Sequence, residues 1–143
     1  MRPTRDQILM EVAYIMAKRS TCNRLHVGAV ISQGGRIVST GYAGAPSGIS
    51  HCSPETCNLE NPCTRTVHAE AGAISYAARS GIRLEGATLY CTHCPCQACS
   101  QLIINSGVIK VIYHIPYRKT EGMELLLEAG IDVKPFNDFD WLS

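Results

Sequence analysis

The sequence lacks three features that would direct a chain to a membrane, to nucleic acid or out of the cell. Its 143 residues contain no uninterrupted apolar segment near the roughly 18 residues of a membrane span. Its 13 basic and 12 acidic residues give a net charge of +1 and form no Lys/Arg block, so no nucleic-acid polymer or anionic membrane is expected as a partner. Asp6, Glu11 and Lys18 interrupt the apolar positions near the start, unlike a secretory signal. We therefore expect a cytoplasmic protein.

Cysteine, by contrast, is abundant, with eight residues. Thiols stay reduced in the cytosol, so these cysteines are interpreted as metal ligands or catalytic groups rather than as disulfide partners. Four of them fall within the segment "CTHCPCQACSQ", namely Cys91, Cys94, Cys96 and Cys99. Cys91 is expected to be a small buried side chain in a strand, and Cys94 to line a pocket mouth or to pack nearby.

The length suits one domain, residues 1–143, and its patterns predict alternating helices and strands. Apolar residues recur at helical spacing over residues 5–20, and the signal "QGG" separates two β-rich runs, 26–32 and 36–42. Further along, the patterns predict helices over 66–81, 95–107 and 121–130 and strands over 87–93, 109–115 and 131–136. This order predicts an α/β fold, a mixed sheet with helices on both faces.

Two short motifs carry the chemistry: "HAE", with His68 and Glu70, and "PCQAC", with Cys96 and Cys99. Each falls at the start of a predicted helix. Cysteines at i and i+3 point the same way, so both thiolates can reach one ion, and His68 can supply a third ligand. Three protein ligands leave the fourth position of a tetrahedral zinc ion open for water, as in catalytic sites. Zinc lowers the pKa of that water to about 7.

Neither motif is specific alone. A lone H-x-E is more often a surface or core pair, and a lone C-x-x-C can be redox-active or half of a zinc knuckle. Together and in this order they are the signature of zinc-dependent nucleobase deaminases. The pairing predicts that zinc-bound hydroxide attacks the carbon bearing the amino group, C4 of a cytosine, while Glu70 shuttles the proton.

Across nearly its whole length the chain resembles the deoxycytidylate (dCMP) deaminases of the bacterial and phage type. The segments that carry the resemblance are "RSTCNRLHVGAVI", "RIVSTGYAGAPSGISHC", "TVHAEAGAI" and "PCQACSQLIINSG". The resemblance implies a three-layer α/β/α cytidine deaminase-like fold with a five-stranded sheet, hydrolysis of dCMP to dUMP, and a homo-oligomer, often a hexamer. It also implies that His68, Cys96 and Cys99 bind zinc and that Glu70 moves the proton.

The same resemblance implies regulation, since many family members are activated by dCTP and inhibited by dTTP, each bound with Mg²⁺ at a subunit interface. The segment "GYAGAPSG" resembles the family's effector loop, which makes Gly44, Pro46 and Gly48 candidate effector-binding residues. The alternative is that these residues merely shape a turn.

Two positions depart from the family pattern, where Ala43 and Gly72 replace asparagines. The first asparagine is expected to bond the sugar hydroxyl, so its loss affects substrate recognition around Ala43 rather than the reaction type. Arg24, Arg79 and the pair Tyr117 and Arg118 are candidates for binding the nucleotide. Each could instead be a solvated surface residue.

The remaining cysteines, Cys22, Cys52, Cys57 and Cys63, are not used by the catalytic motifs. Three of them lie in the predicted long loop, residues 43–66, which has too few apolar residues to pack as a core. Four thiolates could hold a structural zinc that staples this loop. Relatives have a second zinc in this region, and Cys22 and Cys52 are similar in placement to two of its ligands. Free thiols, or His51 as a ligand, are the alternatives.

Two functions from different classes remain. The first is a deaminase acting on dCMP or, alternatively, on another (modified) cytosine nucleotide or nucleoside; a tRNA adenosine deaminase is disfavoured by the near-neutral charge. The second is a non-catalytic zinc module that senses nucleotides. The presence of Glu70 argues against the second, because a structural zinc site has no use for a carboxylate beside an open position.

Overall fold

The computed structural model describes residues 2–22, 25–53 and 65–138, and within them the predicted order of elements is confirmed. None of the helices in these ranges is long and apolar enough to cross a membrane. The elements are α1 (Arg5–Ala17), β1 (Gly28–Gln33), β2 (Arg36–Tyr42), α2 (Ala69–Ser80), β3 (Thr88–His93), α3 (Gln97–Ser106), β4 (Lys110–Ile115), α4 (Glu121–Glu128) and β5 (Asp132–Pro135).

The five strands form one mixed sheet in the order β2-β1-β3-β4-β5. Strand β1 runs antiparallel to both β2 and β3, whereas β3, β4 and β5 are parallel. The parallel pairs are joined through helices α3 and α4, as crossover connections require. Strand β3 therefore lies at the centre of the sheet, and its carboxyl end points at the loops that begin α3.

Side chains along the central strands alternate between two apolar clusters, one on each face of the sheet. Ile31, Leu89 and Val111 contact the cluster that includes residues of α2, α3 and α4. Their neighbours Val30, Tyr90 and Ile112 contact the cluster that α1 covers. Because successive strand residues point to opposite faces, both faces must be covered to exclude water, and the helices do so. This confirms the predicted arrangement.

Three predicted helix boundaries are wrong, and backbone hydrogen bonds or backbone conformation explain each. Helix α1 ends at Ala17 rather than at residue 20, because the N–H groups of residues 18–20 bond three residues back in successive turns. Helix α2 begins at Ala69 rather than at residue 66, since Val67 pairs with Gly44. Helix α3 begins at Gln97, because the preceding Cys96 has an extended backbone (ψ 175°).

Helix α2 lies unusually close to strand β2 at Gly41. A Cβ atom at Gly41 would lie 2.2 Å from the backbone oxygen of Ala69, which leaves room for no other residue type. The Ser39 hydroxyl also donates to the carbonyl of Ala73 at 2.6 Å. These two contacts fix the first turns of α2, and with them His68 and Glu70, against the edge strand.

Replacing Gly41 with alanine should therefore destabilise the fold by about 1–3 kcal/mol, as overpacking does. Gly72, in the same helix, is the matched control, since a Cβ atom there meets nothing within 4 Å. Gly72→Ala should stabilise the protein by roughly 0.5–1 kcal/mol through helix propensity. Urea denaturation of both variants measures the difference, and a Gly41→Ala variant as stable as Gly72→Ala would contradict the close packing.

Candidate active site

Two helices begin at the same edge of the sheet, and their first residues supply the motif side chains. His68 is the N-cap of α2 and Cys96 the N-cap of α3. The backbone before His68 is fixed by two hydrogen bonds between Val67 and Gly44, at 2.7 and 3.1 Å. The backbone before Cys96 is fixed by the N–H of Cys94, which donates to Ile115 at 2.8 Å. Both starts are thus tied to the sheet.

This arrangement brings together the three predicted metal ligands. His68 Nδ1 lies 3.4 Å from Cys96 Sγ and 3.3 Å from Cys99 Sγ, and the three donor atoms all lie within 4.8 Å of one another. Ideal zinc bond lengths and a tetrahedral angle give an N···S separation of roughly 3.6 Å. Two sulfurs and one imidazole nitrogen at these separations fit zinc in their chemistry and in their spacing.

Hydrogen bonds within the cluster favour the thiolate form of one cysteine, Cys96, even without a metal ion. Hydrogen bonds from Cys99 and His68 lower the pKa of the Cys96 thiol to about 3. The same contacts act in reverse on the donors, so hydrogen bonding to Cys96 raises the pKa values of Cys99 and of His68. Cys96 also caps a helix N-terminus, a position that stabilises thiolates. A metal ion would replace the shared protons.

Glu70 lies in the first turn of α2 and lines the same cleft as the cluster. Its side chain is only 4% exposed, and burial raises the pKa of this carboxyl. The second largest effect is an opposing hydrogen bond with Cys99. A carboxyl group whose pKa moves toward neutrality can both accept and return a proton, as a general acid–base group requires.

The cleft has a volume of about 530 Å³, within the range of small-molecule sites. Its lining includes seven of the predicted site residues, namely Cys22, Ala43, His68, Glu70, Cys96, Tyr117 and Arg118. Ala43 is buried in its wall, at 5% exposure, whereas Tyr117 is 39% exposed. Ala43, Tyr117 and Arg118, three of the predicted substrate-binding residues, therefore share one cleft with the metal cluster.

Two predicted nucleotide-binding arginines are not placed in this cleft. Arg24 lies outside the described residues. Arg79 is exposed in the last turn of α2, nine residues beyond Glu70, which corresponds to roughly 13 Å along the helix. It is not among the residues that line the cleft, so the prediction that Arg79 reaches the nucleotide in this cleft is not supported.

The three predicted effector residues also lie outside the cleft lining, and their conformations have local causes. A Cβ atom at Gly44 would lie 2.7 Å from Thr21 Oγ1, so a larger residue there would require the Thr21 side chain to shift. Gly48 has a φ of +84°, and Ile49 donates to the carbonyl of Pro46 at 3.1 Å, which closes a turn. These contacts favour the turn-shaping alternative, and effector binding stays a prediction.

The predicted structural zinc site remains a prediction as well. Cys57 and Cys63 lie outside the described residues. Cys22 is buried and lines the catalytic cleft, and the Sγ of Cys52 lies 3.4 Å from Thr66 Oγ1. Within residues 2–22, 25–53 and 65–138, His68, Cys96 and Cys99 form the one cluster of three side chains that could hold a metal ion.

Sequence reasoning missed two polar residues of the cleft, Thr66 and His93. His93 is the last residue of β3 and could have been found from its position, since the carboxyl end of that strand leads directly to Cys96. The expectations for two other cysteines are confirmed. Cys91 is fully buried in the core between sheet and helices, and Cys94 lines the cleft.

Comparison with known proteins gives a family match over most of the chain. Residues 3–115 match the family model described as the cytidine and deoxycytidylate deaminase zinc-binding region. The matched range includes the His68, Cys96 and Cys99 cluster and Glu70, and it ends where strand β4 ends. The family's zinc-binding region and the clustered histidine and cysteines together support a catalytic zinc.

Individual relatives agree with this match. ComE operon protein 2 of Bacillus subtilis is 39% identical over 90% of this chain and 69% of that protein. Deoxycytidylate deaminase of Schizosaccharomyces pombe is 35% identical over 94% of this chain, which spans only 45% of the yeast protein. The crystal structure of dCMP deaminase from cyanophage S-TIM5 in complex with dCMP and dUMP has a TM-score of 0.85 and 35% identity, covering 95% of this chain and 99% of that one.

Removing one donor should abolish tight zinc binding at the cluster. Cys99→Ser should weaken zinc affinity by about a hundredfold or more. Mutating the partners that hydrogen-bond metal ligands typically costs about 10- to 100-fold, and loss of a ligand itself should cost more. The matched control is Cys94→Ser, which changes a buried cleft cysteine that is not part of the cluster. Competition with a chromogenic chelator measures both affinities, and equal affinities would exclude Cys99 as a ligand.

Proposed function

This chain belongs to the cytidine and deoxycytidylate deaminase family and is a hydrolase acting on carbon–nitrogen bonds, and from that premise we propose that it converts dCMP and water to dUMP and ammonia. One observation supports the proposal most: a buried carboxyl, Glu70, shares a nucleotide-sized cleft with the His68, Cys96 and Cys99 cluster. The similar cyanophage structure, which contains dCMP and dUMP, supports the choice of substrate.

In this proposal His68 Nδ1, Cys96 Sγ and Cys99 Sγ hold the catalytic zinc. When bound, zinc would act as a Lewis acid and lower the pKa of a water molecule bound to it to about 7. The protein contributes a donor set with fixed spacing, because each ligand is held at or near a helix start that is tied to the sheet. The ligands then need little rearrangement to bind the ion.

Glu70 moves the protons. It accepts one from the attacking water and gives it to N3 of the cytosine ring; it then takes the proton of the new C4 hydroxyl and gives it to the C4 amino group, which leaves as ammonia while the C4 carbonyl forms. Its burial keeps bulk water from exchanging these protons and raises the pKa of the carboxyl toward the range in which both steps are possible. No other carboxylate lines the cleft within the described ranges.

Tyr117 and Arg118 bind the phosphate in this proposal, because they lie at the exposed rim of the cleft and Arg118 carries a positive charge. Charge-assisted hydrogen bonds from a guanidinium to phosphate are strong and directional. The base then occupies the end of the cleft near Glu70. Such an orientation places the C4 amino group beside the proposed zinc and leaves the phosphate near solvent.

One observation, the buried and apolar side chain of Ala43 in the cleft wall, favours a substrate other than dCMP as a second candidate. This side chain has no polar atom, where the family resemblance implies an asparagine that bonds the sugar. One neutral hydrogen bond contributes about 0.5–1.5 kcal/mol, enough to change the preference between sugars or phosphorylation states. Another cytosine nucleotide or nucleoside is therefore the second candidate.

Further proposals rest on the sequence features and on the family resemblance. They are a single domain over residues 1–143, a cytoplasmic location, assembly into a homo-oligomer such as a hexamer, a structural zinc held by the remaining cysteines, and regulation by dCTP and dTTP with Mg²⁺. Regulation is tested by measuring KM for dCMP with each effector and Mg²⁺. Unchanged kinetics with both effectors would show that Gly44, Pro46 and Gly48 do not bind dCTP or dTTP as effectors.

Glu70→Gln should keep the fold and the bound zinc but lose turnover. Since one positioned acid–base group contributes typically 10²–10⁴-fold, we expect kcat to fall by about that factor. The matched control is Glu128→Gln, which changes an exposed carboxylate in the last turn of α4. Ammonia release gives the rates and metal analysis gives the zinc content. A Glu70→Gln variant with kcat within tenfold of wild type would contradict the proposed role.

The substrate is tested by ammonia release from dCMP, CMP, dCTP, deoxycytidine and 5-methyl-dCMP. We expect the highest kcat/KM on dCMP. A preference for CMP or deoxycytidine would show that the Ala43 wall has changed recognition of the sugar or phosphate. Binding of these compounds without turnover of any of them would support the non-catalytic sensor.

A further inference from the structure

His93 is a half-buried cleft residue to which the proposed reaction assigns no role. It is the last residue of the central strand β3 and lies three residues before Cys96. It lines the same cleft as Glu70 and Arg118. Its position is therefore set by the sheet rather than by a loop.

The hydrogen bonding of its neighbour Thr92 determines which ring nitrogen carries the proton. Thr92 is fully buried, and its Oγ1 accepts a hydrogen bond from the N–H of Gly28 at 3.2 Å. The same Oγ1 lies 2.8 Å from Nδ1 of His93. A buried hydroxyl also needs an acceptor for its proton, and Nδ1 is the acceptor within reach. Nδ1 then accepts, so Nε2 carries the ring proton.

The ring is also kept neutral, which makes this tautomer the relevant one. Burial lowers the pKa of His93, and the nearby His114 lowers it further. Nε2 makes no hydrogen bond to any residue in the described part of the chain. The cleft thus contains an N–H donor that is fixed in direction and has no protein partner there.

The neighbouring strand indicates which part of a nucleotide this donor meets. His93 is in register with Ile115 at the end of β4, and the chain reaches Tyr117 and Arg118 directly afterwards. The backbone N–H of Tyr117 also bonds to Cys94, the residue after His93. The donor therefore lies at the same end of the sheet as the segment that carries Arg118, the one Lys or Arg side chain among the described residues that line the cleft.

We infer that the Nε2–H of His93, oriented by Thr92, donates a hydrogen bond to the 5′-phosphate of the nucleotide and helps to select a phosphorylated substrate. The inference rests on the proposed function. His93 is a binding residue, and Thr92 is its positioning residue. His93 adds a half-buried neutral donor to the exposed Tyr117 and Arg118, so that the selection of nucleotide over nucleoside does not depend on exposed residues alone.

The test compares dCMP with deoxycytidine, which lacks the phosphate. His93→Phe keeps an aromatic ring but removes the donor. We expect it to raise KM for dCMP by about 10- to 100-fold, the effect of losing a hydrogen bond to a charged group, with kcat changed less than about threefold. Affinity for deoxycytidine should change by less than about twofold. His93→Gln, whose amide N–H reaches the position of Nε2, should recover part of the loss.

Thr92→Val tests the positioning role. With His93 present it should raise KM for dCMP by a smaller factor, and in the His93→Phe background it should add nothing. Urea denaturation and zinc content of each variant confirm that the fold and the metal cluster are intact. Dissociation constants for dCMP and deoxycytidine, measured by calorimetry in the Glu70→Gln background, separate binding from turnover.

Three outcomes would overturn the inference: equal losses on dCMP and deoxycytidine, a Gln variant no better than the Phe variant, or unchanged KM in both. These outcomes differ from failure of the proposed function, in which the wild-type protein itself would release no ammonia from any cytosine compound. If the wild type is active and His93→Phe behaves like it, only the role of His93 is lost.

Discussion

The site depends on one constraint, the convergence of two helix starts at the end of the central strand. His68 and Cys96 are N-caps with extended backbones, and Cys99 follows one turn later. Each start is tied to the sheet, by the Val67–Gly44 pair on one side and by the Cys94–Ile115 bond on the other. Since three donor atoms must meet within a few ångströms, a shift of either helix would separate the imidazole from the thiols.

The same constraint explains the chemistry beside the cluster. Gly41 allows α2 to approach β2 so closely that Glu70 enters the buried end of the cleft rather than solvent. There burial raises the pKa of its carboxyl, which a surface position would not do. A packing requirement in the fold is therefore also a requirement of the reaction, because one metal ligand, His68, and the proton carrier, Glu70, both lie at the start of α2.

Much of this could be predicted from the sequence, because the elements have strong periodic patterns and the ligands lie in two short motifs. The order of elements, the mixed sheet and the meeting of His68 with Cys96 and Cys99 are of this kind. The start of α3 was not predictable from Pro95, since a contact with Ile115 on another strand keeps the backbone extended. Arg79 shows the same limit, because whether a helical side chain reaches the cleft depends on how far along the helix it lies, which motifs do not specify.

The most direct test of the account is to locate zinc by anomalous diffraction at the zinc absorption edge, using crystals of the wild-type protein grown with zinc. We predict a peak within bonding distance of His68 Nδ1, Cys96 Sγ and Cys99 Sγ, with Glu70 close by but not bonded to the ion. A crystal with zinc bound only elsewhere, or with Glu70 as a direct ligand that closes the fourth position, would contradict it.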